Sequence, residues 1–307
     1  MALAEPDEAA RTRALAEAFA ASLRLNGAPD VGIVLGSGLE AVADALLDHR
    51  SVPATSLDGF PPPGVHGHAA SVHAGRMGDA GVLITAGRVH LYEGHSVDIV
   101  TRPVRALAAL GTRAIILTNT AGGTRGSLQP GTILAVREVF HWMGAALGRR
   151  TGTGAAEGLE GAGRRPRLPG ALEMEAEMAH AAHVRARELA VNLVPGVLAA
   201  GLGPCYETAG EVAMLRRLGA DALTMSTVPE FLAARRAGIP VMVFTVITNH
   251  ATGILSGAHL THAEVVERGA RATEALVGII GAAAARVASR PAPSSVHPRP
   301  HRPTPDS

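Results

Sequence analysis

Cysteine is nearly absent: Cys205 stands alone among 307 residues. A single thiol cannot close an intrachain disulfide, so the expected setting is a reducing, cytoplasmic one. Aromatic residues make up only 3%. The core must therefore be built from small aliphatic side chains, and a hydrophobic share of 47% supplies enough of them. Charge of one sign is missing as well. The 28 Lys+Arg against 27 Asp+Glu leave a net charge of +1, which gives no electrostatic footprint for nucleic acid or for an anionic membrane surface. No charge-free run approaches about 18 apolar residues, so no membrane span is expected. Glu5, Asp7, Glu8, Arg11 and Arg13 break up the N-terminal stretch, which lacks a secretory-signal pattern.

What is present is a repeated alternation of short apolar runs with helical patterns. Residues 7–25 read as a helix, with Leu15, Phe19, Leu23 and Leu25 near one face. Val31–Leu35 reads as a strand ending in Gly36-Ser37-Gly38, with a helical pattern from Leu39 to Leu47. Such a glycine turn is either an anion cradle at a helix start or an ordinary strand-to-helix turn. Gly59 to His68 must be loop, and loop histidines such as His66 and His68 are by default solvated. Ser71–His73 and Val82–Ala86 read as strands, and Val97–Leu110 as a helix stopped by Gly111. Arg113–Thr118 and Val241–Thr248 are near-continuous apolar runs, as in parallel strands buried on both faces. Thr132–Val136, Gly196–Leu202 and Asp221–Met225 complete the strands, and Glu173–Leu189 is a helix. Thr208-x-x-Glu211, Thr227-x-x-Glu230 and Thr261-x-x-Glu264 are capping boxes, each opening a helix, the last running to Ala288.

This pattern predicts an α/β fold: one domain over 1–289, with a mixed, mostly parallel twisted sheet flanked by helices. Residues 144–170 are Gly/Arg-rich without a period and are expected to be a long surface loop. The Pro/Ser/His-rich tail, 290–307, is expected to be disordered, its histidines solvated rather than a metal tract.

Chemistry gathers at the ends of three successive runs. Glu207 supplies a carboxylate, Ser226 a hydroxyl at a helix start, and Asn249 a side-chain amide. These are groups that an uncharged heterocycle or an anion can use. In an extended segment Arg88 and His90 share a face, which suits an oxyanion, although a neighbouring carboxylate would answer the arginine equally well. Small residues at Thr120-Ala121-Gly122-Gly123 let a ligand approach the backbone at a strand end.

The chain resembles the trimeric purine nucleoside phosphorylases, within the nucleoside phosphorylase group that includes the methylthioadenosine phosphorylases. The runs that carry the resemblance are Gly36-Ser37-Gly38, Gly67-His68-Ala69, Gly87-Arg88-Val89-His90-Leu91-Tyr92-Glu93-Gly94, Thr118-Asn119-Thr120-Ala121-Gly122-Gly123, Gly203-Pro204-Cys205-Tyr206-Glu207-Thr208, Met225-Ser226-Thr227-Val228-Pro229-Glu230 and Ile247-Thr248-Asn249. They follow in the family order from about 30 to 285. The resemblance implies a phosphate site from Ser37, His68, Arg88, His90, Thr120 (chiefly its backbone) and Ser226. It implies a purine site from Tyr206, Glu207 and Asn249, and a ribose site from Tyr92, Met225 and His262. His90, Glu207 and Asn249 would be catalytic. Phosphate would be a co-substrate, with no metal or organic cofactor, and the assembly a homotrimer. The implied reaction is reversible phosphorolysis of 6-oxopurine nucleosides. Methylthioadenosine phosphorylases carry Asp where Asn249 stands and a small apolar residue where His262 stands, so the polar pair here favours inosine and guanosine. Two departures stand out. Thr120 replaces the usual Ala, and residues 141–180 lack the intersubunit aromatic that covers the ribose. The alternatives are a methylthioadenosine or modified-nucleoside phosphorylase, or a weakly catalytic nucleoside-binding relative.

Overall fold

The computed structural model describes residues 7–36, 38–61, 70–144, 170–254 and 262–291. In chain order the elements are α1 (Glu8–Ser22), β1 (Val31–Leu35), β2 (Leu47–Pro53), β3 (Ser71–Met77), β4 (Ala80–Ala86), α2 (Val97–Ala109), β5 (Ala114–Gly123), β6 (Ile133–Trp142), α3 (Ala171–Glu188), β7 (Leu193–Gly201), α4 (Ala209–Arg217), β8 (Ala222–Thr224), α5 (Val228–Arg236), β9 (Val241–His250) and α6 (His262–Ala288). The strands form one mixed sheet in the order β2-β3-β4-β1-β5-β8-β7-β6-β9, and β9 pairs back onto β5. That pairing closes β5, β8, β7, β6 and β9 into a ring, with β1 to β4 as an open wing. β1 runs parallel to β4 and β5, β5 to β9, and β7 to β6 and β8. The antiparallel pairs are β2–β3, β3–β4, β5–β8 and β6–β9.

The apolar runs are continuous because both sheet faces are covered. Side chains alternate across a strand, so Ile115 and Leu117 join one core with α1, α2 and α5, while Ala114 and Ile116 join the other with α3 and α6. β9 splits the same way, Val241, Val243 and Ile247 against Met242, Phe244 and Val246. Burial on both faces leaves the strand ends at one sheet edge as the place where polar groups meet a ligand.

Four elements differ from the sequence reading. The helical pattern of 39–47 is a short 3-10 turn, Glu40–Ala45, followed by strand β2. Leu39, Val42, Ala43 and Leu46 are buried at helix-like spacing, but over too few residues to continue. β2 was unreadable because its side chains, Leu-Asp-His-Arg-Ser, are exposed and show no alternation. β5 does not stop at Thr118 but carries on through Asn119 to Gly123. β6 runs on to Trp142 past a bulge between Val136 and Glu138. The expected cap at Thr261, the loop across 145–169 and the tail from 292 onward lie outside the described residues.

Candidate active site

The edge where β5, β8 and β9 end encloses a cavity of about 490 Å³. Segment 88–92, following β4, and segment 206–207, following β7, complete its wall. Gly203 makes this convergence possible. Its φ is +75°, and a Cβ there would lie 2.8 Å from both Met225 Sδ and a Tyr92 ring carbon. Only glycine meets both demands. Gly201 does the same for Glu207, whose Oε1 would sit 2.9 Å from an added Cβ.

Arg88 is part of the wall. Its Nε donates to Glu230 Oε1 at 2.9 Å and its Nη1 to the Thr118 carbonyl at 3.1 Å. Both side chains of the pair are only 4% exposed. Nη2 is buried and has no partner among the described residues. Glu230 does two jobs, since its Oε2 also accepts from the Thr227 N–H at 3.0 Å and so caps α5. One carboxylate thereby fixes the guanidinium beside a helix N-terminus, where N–H groups and the helix dipole favour an anion. Thr227 itself has φ +70° and is fully buried, a strained conformation for a β-branched residue. The bend it makes brings Ser226 Oγ to 3.1 Å from Thr227 Oγ1 and 3.4 Å from Thr224 Oγ1. Thr224 Oγ1 in turn donates to the Thr120 carbonyl at 3.5 Å.

His90 is held by Glu93. Oε1 of Glu93 lies 2.7 Å from His90 Nδ1 and accepts the His90 N–H at 2.8 Å. A carboxylate at Nδ1 places the ring proton there and leaves Nε2 for a ligand. The ring stacks on Tyr92, centroids 4.7 Å apart and 16° between planes. Burial first, then the charges of Glu93 and Tyr206, push the Tyr92 phenol above its ordinary value, so it stays a neutral hydroxyl at pH 7. Glu207, Tyr206 and Asn249 are in the same wall. Tyr206 is a rim residue, 81% exposed. Asn249 Oδ1 accepts from Thr248 Oγ1 at 2.9 Å, and its Nδ2 donates to the His250 carbonyl at 3.0 Å.

Residues 30–285 match the family model described as the phosphorylase superfamily. The chain belongs to the phosphorylase superfamily. Among this superfamily's proteins, purine nucleoside phosphorylase 1 of Geobacillus stearothermophilus is 38% identical over 248 residues, 78% of this chain and 84% of that one. Purine nucleoside phosphorylase of Mycobacterium tuberculosis is 38% identical over 287 residues, 92% of this chain and 97% of that one. The solved structure of Schistosoma mansoni purine nucleoside phosphorylase in complex with inosine is 28% identical, covers 92% of this chain and 97% of its own, and superposes with a TM-score of 0.74.

Of the residues singled out in this phosphorylase-superfamily sequence, Arg88, His90, Tyr92, Thr120, Tyr206, Glu207, Met225, Ser226 and Asn249 all line the one cavity. Ser37 and His68 lie outside the described residues, as does the side chain of His262, whose backbone opens α6. The two readings of Arg88 both hold: it is paired with a carboxylate and keeps one donor group in reserve. Asn119 was missed as a site residue. It is 1% exposed, lines the cavity, and neither Oδ1 nor Nδ2 has a partner among the described residues. Each buried orphan costs about 1–3 kcal/mol, so such an amide in a cavity wall marks a ligand-facing group. No spacing marks it: Asn119 simply follows Thr118 at the end of a buried run. His250, also in the wall, keeps a buried Nε2 without a partner among the described residues. Among the described residues no group of three His, Cys, Asp or Glu is arranged for a metal, and no helix is long and apolar enough to cross a membrane.

Proposed function

We propose that this chain is a purine nucleoside phosphorylase acting on 6-oxopurine ribo- and deoxyribonucleosides such as inosine and guanosine. The observation that carries the reading is one cavity walled by two unlike sets of groups. A guanidinium Nη2 with no partner among the described residues and a helix-start hydroxyl share the wall with a carboxylate and an amide. The name shared by the relatives supports the same activity.

Phosphate held by Arg88, Ser226, His90 and the backbone at Thr120 attacks C1′ of the sugar as the C1′–N9 bond breaks. Positive charge grows on the sugar and negative charge on the purine. The phosphate offsets the first, and groups already aimed at the base offset the second. Glu207 accepts the N1–H of a 6-oxopurine. Adenine has no hydrogen there, which would leave a buried acceptor unpaired at a cost of about 1–3 kcal/mol. Asn249 meets N7 and O6 as the base departs, and Tyr206 stacks on its face. Ser37 and His68 join the phosphate, while Tyr92, Met225 and His262 line the ribose. Phosphate is a co-substrate, so the reaction requires no metal or organic cofactor. We further read the protein as a cytoplasmic homotrimer. The single free thiol, Cys205, suits a reducing compartment, and exposed Trp142, Leu202 and Tyr206 suit a subunit contact. Mass measurement in solution tests the assembly.

The test of activity is hypoxanthine release from inosine with and without phosphate, run beside adenosine and methylthioadenosine. Phosphate-dependent release from inosine is expected. Release that ignores phosphate, or that favours methylthioadenosine, overturns the reading.

A further inference from the structure

Thr248, Asn249 and His250, the last residues of β9, line the cavity. Along a regular strand alternate side chains face opposite ways. The pairing of β5 with β9 breaks that alternation here: Ala121 faces Ile247, but Gly122 faces Asn249. Thr248 is therefore an extra residue, and the irregularity re-aims the strand end. A Cβ at Gly122 would lie 3.3 Å from the Ala251 backbone, so glycine eases the close approach of the two chains at this irregularity.

The amide is held at both ends. Nδ2 donates to the His250 carbonyl at 3.0 Å, and Oδ1 accepts from Thr248 Oγ1 at 2.9 Å. These contacts are unequal in what they permit. A hydroxyl donates or accepts, but a main-chain carbonyl only accepts. Turning the amide over would set two carbonyl oxygens against each other at His250. The carbonyl forbids the reverse orientation, and the Thr248 hydroxyl stabilises the allowed one.

We propose that Thr248 is a positioning residue. With the His250 carbonyl it locks Asn249 in one orientation, and the lock sets the preference for 6-oxo over 6-amino bases. The inference rests on the proposed phosphorolysis and deepens it. Once both contacts are made, Oδ1 keeps one lone pair and Nδ2 one hydrogen. That acceptor–donor pair matches the N7–H and O6 of a departing 6-oxopurine. Against a 6-aminopurine the remaining Nδ2–H meets the exocyclic N–H, donor against donor, and the amide is not free to turn.

The experiment measures kcat/KM for inosine and for adenosine at saturating phosphate in wild type, Thr248→Val and Thr248→Ser. Valine keeps the shape and removes the donor. The inosine-to-adenosine ratio is expected to fall about tenfold in Thr248→Val, the size of one net hydrogen bond, and to recover in Thr248→Ser. The phosphate KM should stay level across all three, which a general loosening of the strand would not allow. An unchanged ratio in Thr248→Val, with wild type active on inosine, overturns this proposal alone. A ratio that Thr248→Ser fails to restore also overturns it. Wild type inactive on inosine overturns the proposed function and this inference together.

Discussion

Arg88 and Arg102 are both buried against carboxylates, and they are finished differently. Arg102, on α2, gives Nε and Nη2 to the two oxygens of Glu8, both at 2.7 Å, and Nη1 to the Gly59 carbonyl at 2.9 Å. Every nitrogen of its guanidinium has a partner, and the result ties α1 to α2. Arg88 gives Nε to Glu230 and Nη1 to Thr118, and Nη2 has none among the described residues. A bidentate fork is a fastening; a fork with one prong withheld is a binding group held in aim. The strongest test is to remove each. Either change takes a cation from a carboxylate, so both lose stability, Arg88 more because Glu230 is 4% exposed and Glu8 23%, and because Arg105 still donates to Glu8 at 2.8 Å. For Arg102→Met the expected loss is about 1–3 kcal/mol by denaturant titration. Only Arg88→Met should move phosphate saturation of the inosine reaction, lowering kcat/KM for phosphate roughly a hundredfold. Equal phosphate effects at the two sites would erase the distinction.

Glu230 sharpens it further, because one carboxylate serves as both cap and clamp. In Glu230→Gln the amide keeps one accepting oxygen where two were in use. Its NH₂ must then face either Arg88 Nε–H or Thr227 N–H. We expect the phosphate KM to rise about tenfold and stability to drop by about 1–2 kcal/mol through the weakened cap. Loss of stability with an unmoved phosphate KM would mean that Arg88 is aimed without Glu230.

The sequence made Glu230 legible as a cap, because Thr227-x-x-Glu230 is a local pattern. It could not show that Arg88, 142 residues away, takes the other oxygen. The same divide runs through the fold. β1, β5 and β9 were readable from apolar runs buried on both faces, and the Thr208–Glu211 box opens α4 as expected, with Thr208 N–H to Glu211 Oε2 at 2.8 Å. β2 and the far half of β6 were not, since exposed strands carry no hydrophobic period. Arg88, Glu207 and Asn249 were picked by chemical type and strand-end position. Asn119 escaped because its meaning comes from burial without a partner, which no spacing encodes.

The comparison extends to two histidines and gives the smallest effect. His90 has Glu93 on one nitrogen and keeps the other for the cavity. His73, on β3, has both occupied: Nδ1 lies 2.9 Å from His49 Nε2 on β2, and Nε2 lies 2.7 Å from Ser71 Oγ. Burial first, then the charge of His49, lowers the His73 pKa below its ordinary 6.5, with Asp44 opposing. Above 6.5 the ring is neutral folded or unfolded, and the pH does not matter. As pH falls through 6.5 the unfolded chain takes the proton first, so stability is lost until the lower folded value is reached. Thermal midpoints between about pH 7.5 and about pH 5.5 should therefore fall less in His73→Gln than in wild type, by about a degree or two. Inosine turnover at the upper pH should be unmoved, because His73 joins β2 to β3 and has no place in the cavity wall. Parallel melting curves would show that His73 carries no pH-dependent load.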